Sequence, residues 1–279
     1  MDFSSDTKST PHSARREAGG EAALKVSIIT VTYNSASTIE HTLKSVSGQV
    51  YPDIEHIIVD GKSQDNTCDI IQSFSHVSRL VSEHDSGLYD AINKGIRIST
   101  GDIIGVLHSD DFFPNEHVVT RIAEIFREKQ ADAVFGDVAF VKPGKLDKII
   151  RHYSSHKFHP NKFAYGYMPA HPSFYVKRKC YDEFGLYKLD YKIAADYELL
   201  MRFMHKHHIS YAYAPFVMVH MRTGGVSNKS ILSRYVLNKE IIKACRENGV
   251  NTNMARLSLK YFKKVFEYIG PAFGSSPNK

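Results

Sequence analysis

The stretch VSIITVTYN, residues 26–34, is β-branched and continuous up to its polar end, the pattern of a strand covered on both faces. SASTIEHTLKSV follows with apolar residues at helical spacing and Ser or Thr available as a cap. The exchange then repeats. IEHIIVDG predicts a second strand and DNTCDIIQSF a second helix, capped by Asp65 or Asn66. RLVSEHD, LYDAINKGIRIS, GDIIGVLHSDD and NEHVVTRIAEIFREK continue the alternation, and ADAVFGDVAFV closes it as a fifth strand. Strand and helix alternating in this way predict a parallel, doubly wound α/β sheet flanked by helices.

Past residue 140 the rhythm changes. VKPGK reads as a turn, DKIIRHY as a returning strand, and 154–172 as a loop rich in His, Pro and aromatics. HPSFYVKR, the amphipathic AADYELLMRFMHKH and the apolar YAYAPFVMVHM come next, and a helical zone covers 229–269. The expected organisation is a disordered leader over 1–24, a main domain over 25–228 and C-terminal helices over 229–279. The main domain divides into a nucleotide half, 25–112, and an acceptor half, 113–228.

In such sheets ligands sit beyond the carboxyl ends of the strands. Four polar clusters fall there: Thr32-Tyr33-Asn34, Asp60 to Thr67, His84 to Gly87, and His108-Ser109-Asp110-Asp111. Gly61-Lys62-Ser63 imitates the end of a P-loop, but the glycine needed at position 56 is His, and no GxGxxG follows the first strand. Adjacent carboxylates at the end of a buried strand suit a hard divalent cation, Mg²⁺ or Mn²⁺, that completes its shell with water and a diphosphate. The other reading of Asp111 is a helix N-cap ahead of FFPNEHVV.

The formal net charge of +6 suits an anionic partner without choosing one. Lys and Arg are not clustered on one core element, which argues against nucleic acid. Three scattered cysteines argue for a reducing compartment. No 18-residue apolar run is present, and the first 24 residues lack the apolar region of a signal peptide. These features predict a cytoplasmic protein.

VSIITVTYNSASTIEHTLKSV, IIVDGKSQDNT, SGLYDAINKGI and TGDIIGVLHSDD, in that order, resemble the family 2 inverting glycosyltransferases of GT-A fold, over roughly residues 25–225. The resemblance implies transfer of a sugar from a nucleotide-sugar, UDP being the family's commonest carrier, to a saccharide or lipid-linked acceptor in polysaccharide, capsule or O-antigen assembly. It places Thr32, Tyr33 and Asn34 at the nucleoside, Asp60 on the base, and Asp90 and Asn93 toward nucleoside and sugar. Ser109-Asp110-Asp111 matches the D-x-D motif with Ser in its first place; Asp111 is then the metal ligand, and Asp110 faces the ribose or sugar or joins the metal. In YKIAADYELLMRF the resemblance makes Asp196 the general base, with Glu198 in reserve; first-turn capping is the other reading of both.

Three further residues carry readings of their own. His171 lines the acceptor or donor-sugar pocket or is structural, and His220 is a third metal ligand, a phosphate contact or a hydrogen-bonded structural His. Arg222 meets the diphosphate at the start of a lid, Arg222 to Ser227, hinged at Gly224 and Gly225. HKHH, 205–208, reads as a solvated helix end. Over 254–269 the basic residues Arg256, Lys260, Lys263 and Lys264 share a narrow helical face beside a broad apolar one, which suits either an anionic membrane surface or packing on the protein. A nucleotidyltransferase or a non-catalytic nucleotide- or sugar-binding module are the rival functions; the first calls for a Gly-rich basic loop where SASTIE stands.

Overall fold

The computed structural model describes residues 23–223 and 231–258. The leader up to residue 22, the lid residues Gly224 to Ser227 and the tail from residue 259 lie outside the described residues.

The central strand is β1, Val26–Thr32, buried at all its positions. It pairs in parallel with β2, Ile54–Asp60, and with β4, Ile103–Val106; β2 in turn carries β3, Val77–Ser82, at the edge. The short strand β7, Tyr175–Lys177, runs antiparallel between β4 and the start of β5, Ala133–Lys142. Farther along β5 the same side pairs with β6, Lys145–Tyr153, while its other side holds β8, Tyr211–Arg222, in parallel. The result is an eight-stranded, mostly parallel sheet in the order β3-β2-β1-β4-β7-β5-β6, with β8 beside β5.

Alternation along β1 fixes the two layers. Ile29 and Val31 face helix α3, Leu88–Ile98, through Ala91, Ile92 and Ile96. Val26 and Ile28 face helix α4, Val118–Lys129, through Val118, Ile122 and Phe126. Helices α1, Ile39–Ser47, and α2, Thr67–Gln72, close over Ile58. On the α3 side, α5 (Arg178–Phe184), α6 (Ala195–Met201) and α7 (Ile231–Glu247) complete the core.

Two glycines permit the close approaches. A Cβ on Gly95 would stand 2.4 Å from the Ile29 side chain, and one on Gly105 2.1 Å from the Tyr175 ring. The second contact is what lets β7 lie against β4. No helix among the described residues is long and apolar enough to cross a membrane.

Candidate active site

The polar clusters meet at the carboxyl ends of β1, β2 and β4. Asn34 takes a left-handed backbone (φ 49°); its amide donates to Ser63 Oγ at 2.8 Å, and its side-chain oxygen accepts from Gln64 N at 2.8 Å. The loops after β1 and β2 are therefore built as one unit, with Tyr33 left 60% exposed above them. Asp60 is buried beneath that unit and accepts from Ser63 N (3.0 Å), Ser82 Oγ (2.6 Å) and Cys68 Sγ (3.3 Å), as well as from Ser63 Oγ. Burial opposes its charge, but the bonds from Ser63, Ser82 and Cys68 prevail and hold the carboxyl below its ordinary value. Asp60 thus holds the floor of the loops. Thr32 Oγ1 is buried with no hydrogen-bond partner among the described residues, an orphan donor at the end of β1.

Asp110 and Asp111 lie in the turn after β4, closed by Asp111 N donating to His108 O at 3.0 Å. Thr42 of α1 donates to the Asp111 carbonyl at 2.7 Å, and Ser109 Oγ lies 3.0 Å from Ser35 Oγ. Helix α4 begins only at Val118, behind His117, so Asp111 caps nothing. Its side chain is 2% exposed. Burial first, and the Asp110 charge second, push its carboxyl well above the ordinary range, against the pull of Arg222. Arg222 is the positive charge beyond the acids. Its guanidinium donates to the Asp110 carbonyl, and a main-chain bridge between Phe112 and His220 brings the end of β8 to this corner.

The acid pair therefore suits a cation on its chemistry: two adjacent carboxylates, one desolvated, with a single guanidinium in opposition. It is not a closed cage. No trio of His, Cys, Asp or Glu among the described residues can hold a metal ion alone. His220 stands at the same corner without completing such a trio among the described residues. Its main chain is taken by Phe112, and its ring stands edge-on to the Phe112 ring with centroids 5.3 Å apart.

Asp196 opens α6 with its side chain 14% exposed. One oxygen accepts from Tyr197 N at 2.7 Å, and the other lies 3.3 Å from His171 Nδ1. His171, His108, Tyr89, Tyr187 and Asp196 line a cavity of about 30 Å³. Burial and the neighbouring His171 push His108 down to about 4, so its imidazole is neutral. Tyr89 and Tyr187 stack with centroids 5.7 Å apart, and Tyr89 donates to Ile193 O at 2.6 Å.

Two residues named from the sequence turn out to be structural. Glu198 is 0% exposed and held by Arg202, Lys188 and Asn248, so it has no face for a substrate and cannot stand in for Asp196. Asn93 is not open to a donor. Its amide clamps the Tyr187 backbone, donating to Tyr187 O at 2.8 Å and accepting from Tyr187 N at 3.0 Å. Asp90 accepts from Ser86 N at 3.0 Å and lies 3.5 Å from Lys94, which braces the loop before α3.

Sequence reasoning placed His108 at a pocket edge but missed Tyr187 as a cavity wall. It also missed Glu240 of α7, whose carboxylate accepts from the amides of Lys192 (2.8 Å), Ile193 (2.9 Å) and Ala194 (2.9 Å) just ahead of Asp196. Nothing local marks these residues; Glu240 reads as an ordinary exposed helix acid.

Comparison with known proteins agrees with this arrangement. The sequence profile of Glycosyl transferase family 2 matches residues 27–218. An uncharacterized glycosyltransferase of Mycobacterium tuberculosis is 32% identical over 187 residues, 65% of this chain and 69% of that protein. A PGL/p-HBAD biosynthesis glycosyltransferase of Mycobacterium bovis is 28% identical over 228 residues, 80% of this chain and 84% of that one.

Among solved structures, Staphylococcus aureus TarS superposes with a TM-score of 0.61 at 16% identity over 88% of this chain, which spans 44% of that chain. Its 1–349 portion in complex with UDP-GlcNAc gives 0.63, also at 16% identity, over 88% of this chain and 73% of that one. The mannosyltransferase PcManGT of Pyrobaculum calidifontis, in complex with GDP-Man and Mn²⁺, gives 0.60 at 18% identity, covering 91% of this chain and 77% of that one. The fold is of GT-A type, and the chain belongs to glycosyl transferase family 2.

Proposed function

We propose that this glycosyltransferase moves a hexosyl or N-acetylhexosaminyl group from a nucleoside diphosphate-sugar, with UDP the favoured carrier, to a saccharide or lipid-linked saccharide acceptor, with inversion at the anomeric carbon. One observation carries the reading. The end of β4, through Val106 and His108, and the start of α6, through Asp196, line one cavity, and the acids Asp110 and Asp111 follow His108 in the same turn outside that lining. TarS with bound UDP-GlcNAc and PcManGT with bound GDP-Man support a nucleotide-sugar donor. The mycobacterial relative in PGL/p-HBAD biosynthesis supports a glycoconjugate product.

The donor nucleoside lies over the joined loops after β1 and β2. Tyr33 offers an exposed ring for the base. Asp111, with Asp110 beside it, holds Mn²⁺ or Mg²⁺, which when bound offsets the charge of a departing diphosphate. Arg222 adds its own positive charge at the same corner. Asp196 takes the proton of the acceptor hydroxyl as that oxygen bonds to the anomeric carbon; the carbon–phosphate oxygen bond breaks, and the nucleoside diphosphate leaves with its electron pair. His171 Nδ1 beside one oxygen and the Tyr197 amide on the other fix the orientation of the Asp196 carboxylate, and each oxygen keeps a lone pair for the acceptor. Surface-polysaccharide assembly on the inner face of the plasma membrane is the setting that fits a lipid-linked acceptor.

A thermal-shift screen of nucleotide-sugars with and without Mn²⁺ tests the donor reading; the expected result is stabilisation by a UDP-sugar that grows with the metal. Asp196→Asn is expected to retain that shift and lose transfer. Undiminished transfer in Asp196→Asn overturns the base assignment, and no shift with any nucleotide-sugar overturns the donor.

A further inference from the structure

The charge of the chain is not spread evenly. Between residues 142 and 162 stand Lys142, Lys145, Lys148, Arg151, Lys157 and Lys162, against the single acid Asp147. The first four lie on the hairpin of β5 and β6, all exposed, and none forms an ion pair with a carboxylate among the described residues. Lysines on an edge strand are also a common guard against unwanted pairing.

That guard does not explain the apolar residues among them. Ile149 is 41% exposed and Ile150 49%. The register of β6 on β5 breaks twice, once between the pairs Phe140↔Arg151 and Val141↔Ile149, once between Val141↔Ile149 and Lys142↔Lys145. The first break leaves Ile150 with no opposite residue, and the second does the same for 146–148. Such bulges bend the strand and re-aim its side chains, and both isoleucines remain exposed. The outcome is a projecting strip with two bare isoleucines set among lysines and an arginine.

The foot of the hairpin is tied to the active site. Tyr153 donates to Met168 O at 2.7 Å, and Ser155 Oγ accepts from Ala170 N at 3.1 Å, directly before His171.

We propose that the β5–β6 hairpin docks on an anionic lipid bilayer, with Ile149 and Ile150 entering the interface and Lys142, Lys145, Lys148 and Arg151 against the headgroups. Positive charge finds the anionic surface; the isoleucines distinguish a bilayer from a soluble polyanion. Docking there anchors the segment that leads into His171 of the cavity wall. The proposal stands apart from the assignment of donor and base, because vesicle binding is read without any sugar transfer.

The test uses the full chain with phosphatidylcholine vesicles, with and without phosphatidylglycerol, in a flotation assay. The full chain is expected to float only with phosphatidylglycerol present. Each surface charge carries about a fivefold effect, so Lys145→Gln, Lys148→Gln and Arg151→Gln together should weaken binding on the order of 100-fold. Ile149→Ser with Ile150→Ser should weaken it about tenfold or more. Both variants should keep the nucleotide-induced shift and lose little melting temperature, since the substituted side chains are exposed and the main contact given up is the Arg151 guanidinium over the Phe140 ring. A further variant ending at residue 258 should still float. The proposal is overturned if the unmodified chain ignores anionic vesicles, or if the isoleucine variant binds them undiminished. It is equally overturned if the hairpin variants float normally and only the chain ending at 258 fails.

Discussion

Replacing Glu198 by alanine separates the two acids at the start of α6. Glu198 is completely buried; it accepts from Arg202 Nε at 3.1 and 3.2 Å and Nη2 at 3.1 Å, from Lys188 at 3.1 Å and from Asn248 at 3.4 Å. Removing it leaves the Arg202 guanidinium, 7% exposed, facing only the carbonyls of Phe184, Gly185 and Leu186. Lys188 keeps Glu247 at 2.7 Å and solvent, so it adds little to the loss. Breaking a buried pair from one side costs about 3–5 kcal/mol. Taking about 3 kcal/mol, and about 2–4 °C per kcal/mol for a chain of this size, Glu198→Ala should melt about 6–12 °C lower.

Asp196→Asn gives up only a first-turn charge worth about 1 kcal/mol, so its melting temperature should move by a few degrees. Its transfer rate should nevertheless fall by about 10²–10⁴. Differential scanning calorimetry and single-turnover transfer on both variants, below their melting points, make the comparison. A Glu198→Ala protein that melts normally but transfers no sugar would refute the reasoning and move the base two residues along, to the other side of α6.

Other consequences are open to measurement. Gly105→Ala drives a methyl group into the Tyr175 ring and should destabilise the protein by about 1–3 kcal/mol in urea denaturation; an unchanged midpoint would mean that β7 can drift from β4 freely. His56 is fully buried, its ring 3.0 Å from both Thr30 Oγ1 and His76 Nε2, and burial with the His76 charge lowers it to about 3. The unfolded chain binds that proton below its ordinary value near 6.5 and the native protein does not, so stability falls as pH drops from about 6.5 toward 3. Denaturation at pH 7 and 5.5 should differ by about 1 kcal/mol from this residue, and His56→Gln should flatten the slope; an equal slope in the variant would refute it. Glu240→Ala strips three amides ahead of Asp196 and should lower the transfer rate more than it weakens donor binding, measured by kcat and by nucleotide titration.

The strands and helices of the first half were readable because their periodicity is local: a β-branched run at β1 and an apolar helical stripe at α3 each declare themselves. The acid pair was readable too, since two like charges at a strand end demand a partner. What the pattern could not show was the identity of that partner: Arg222 reaches Asp110 only because β8 runs parallel to β5, a pairing set by tertiary packing. Asn93 and Glu198 sit in polar-looking helical positions that face solvent or core depending on neighbours nearly a hundred and about fifty residues distant, Tyr187 and Asn248. A one-dimensional reading assigns such residues to chemistry because polarity alone does not reveal a clamp. The β7 reversal was equally hidden, since three residues carry no directional signal.

The brace that Glu240 supplies to residues 192–194 has a bearing on where this enzyme can be shortened. The family match stops at residue 218, ahead of α7. A chain cut at that border would retain every carboxylate assigned to chemistry yet lose the support beneath the turn that aims Asp196, together with Arg222. The smallest unit expected to transfer sugar therefore extends through α7, past the border of the family match.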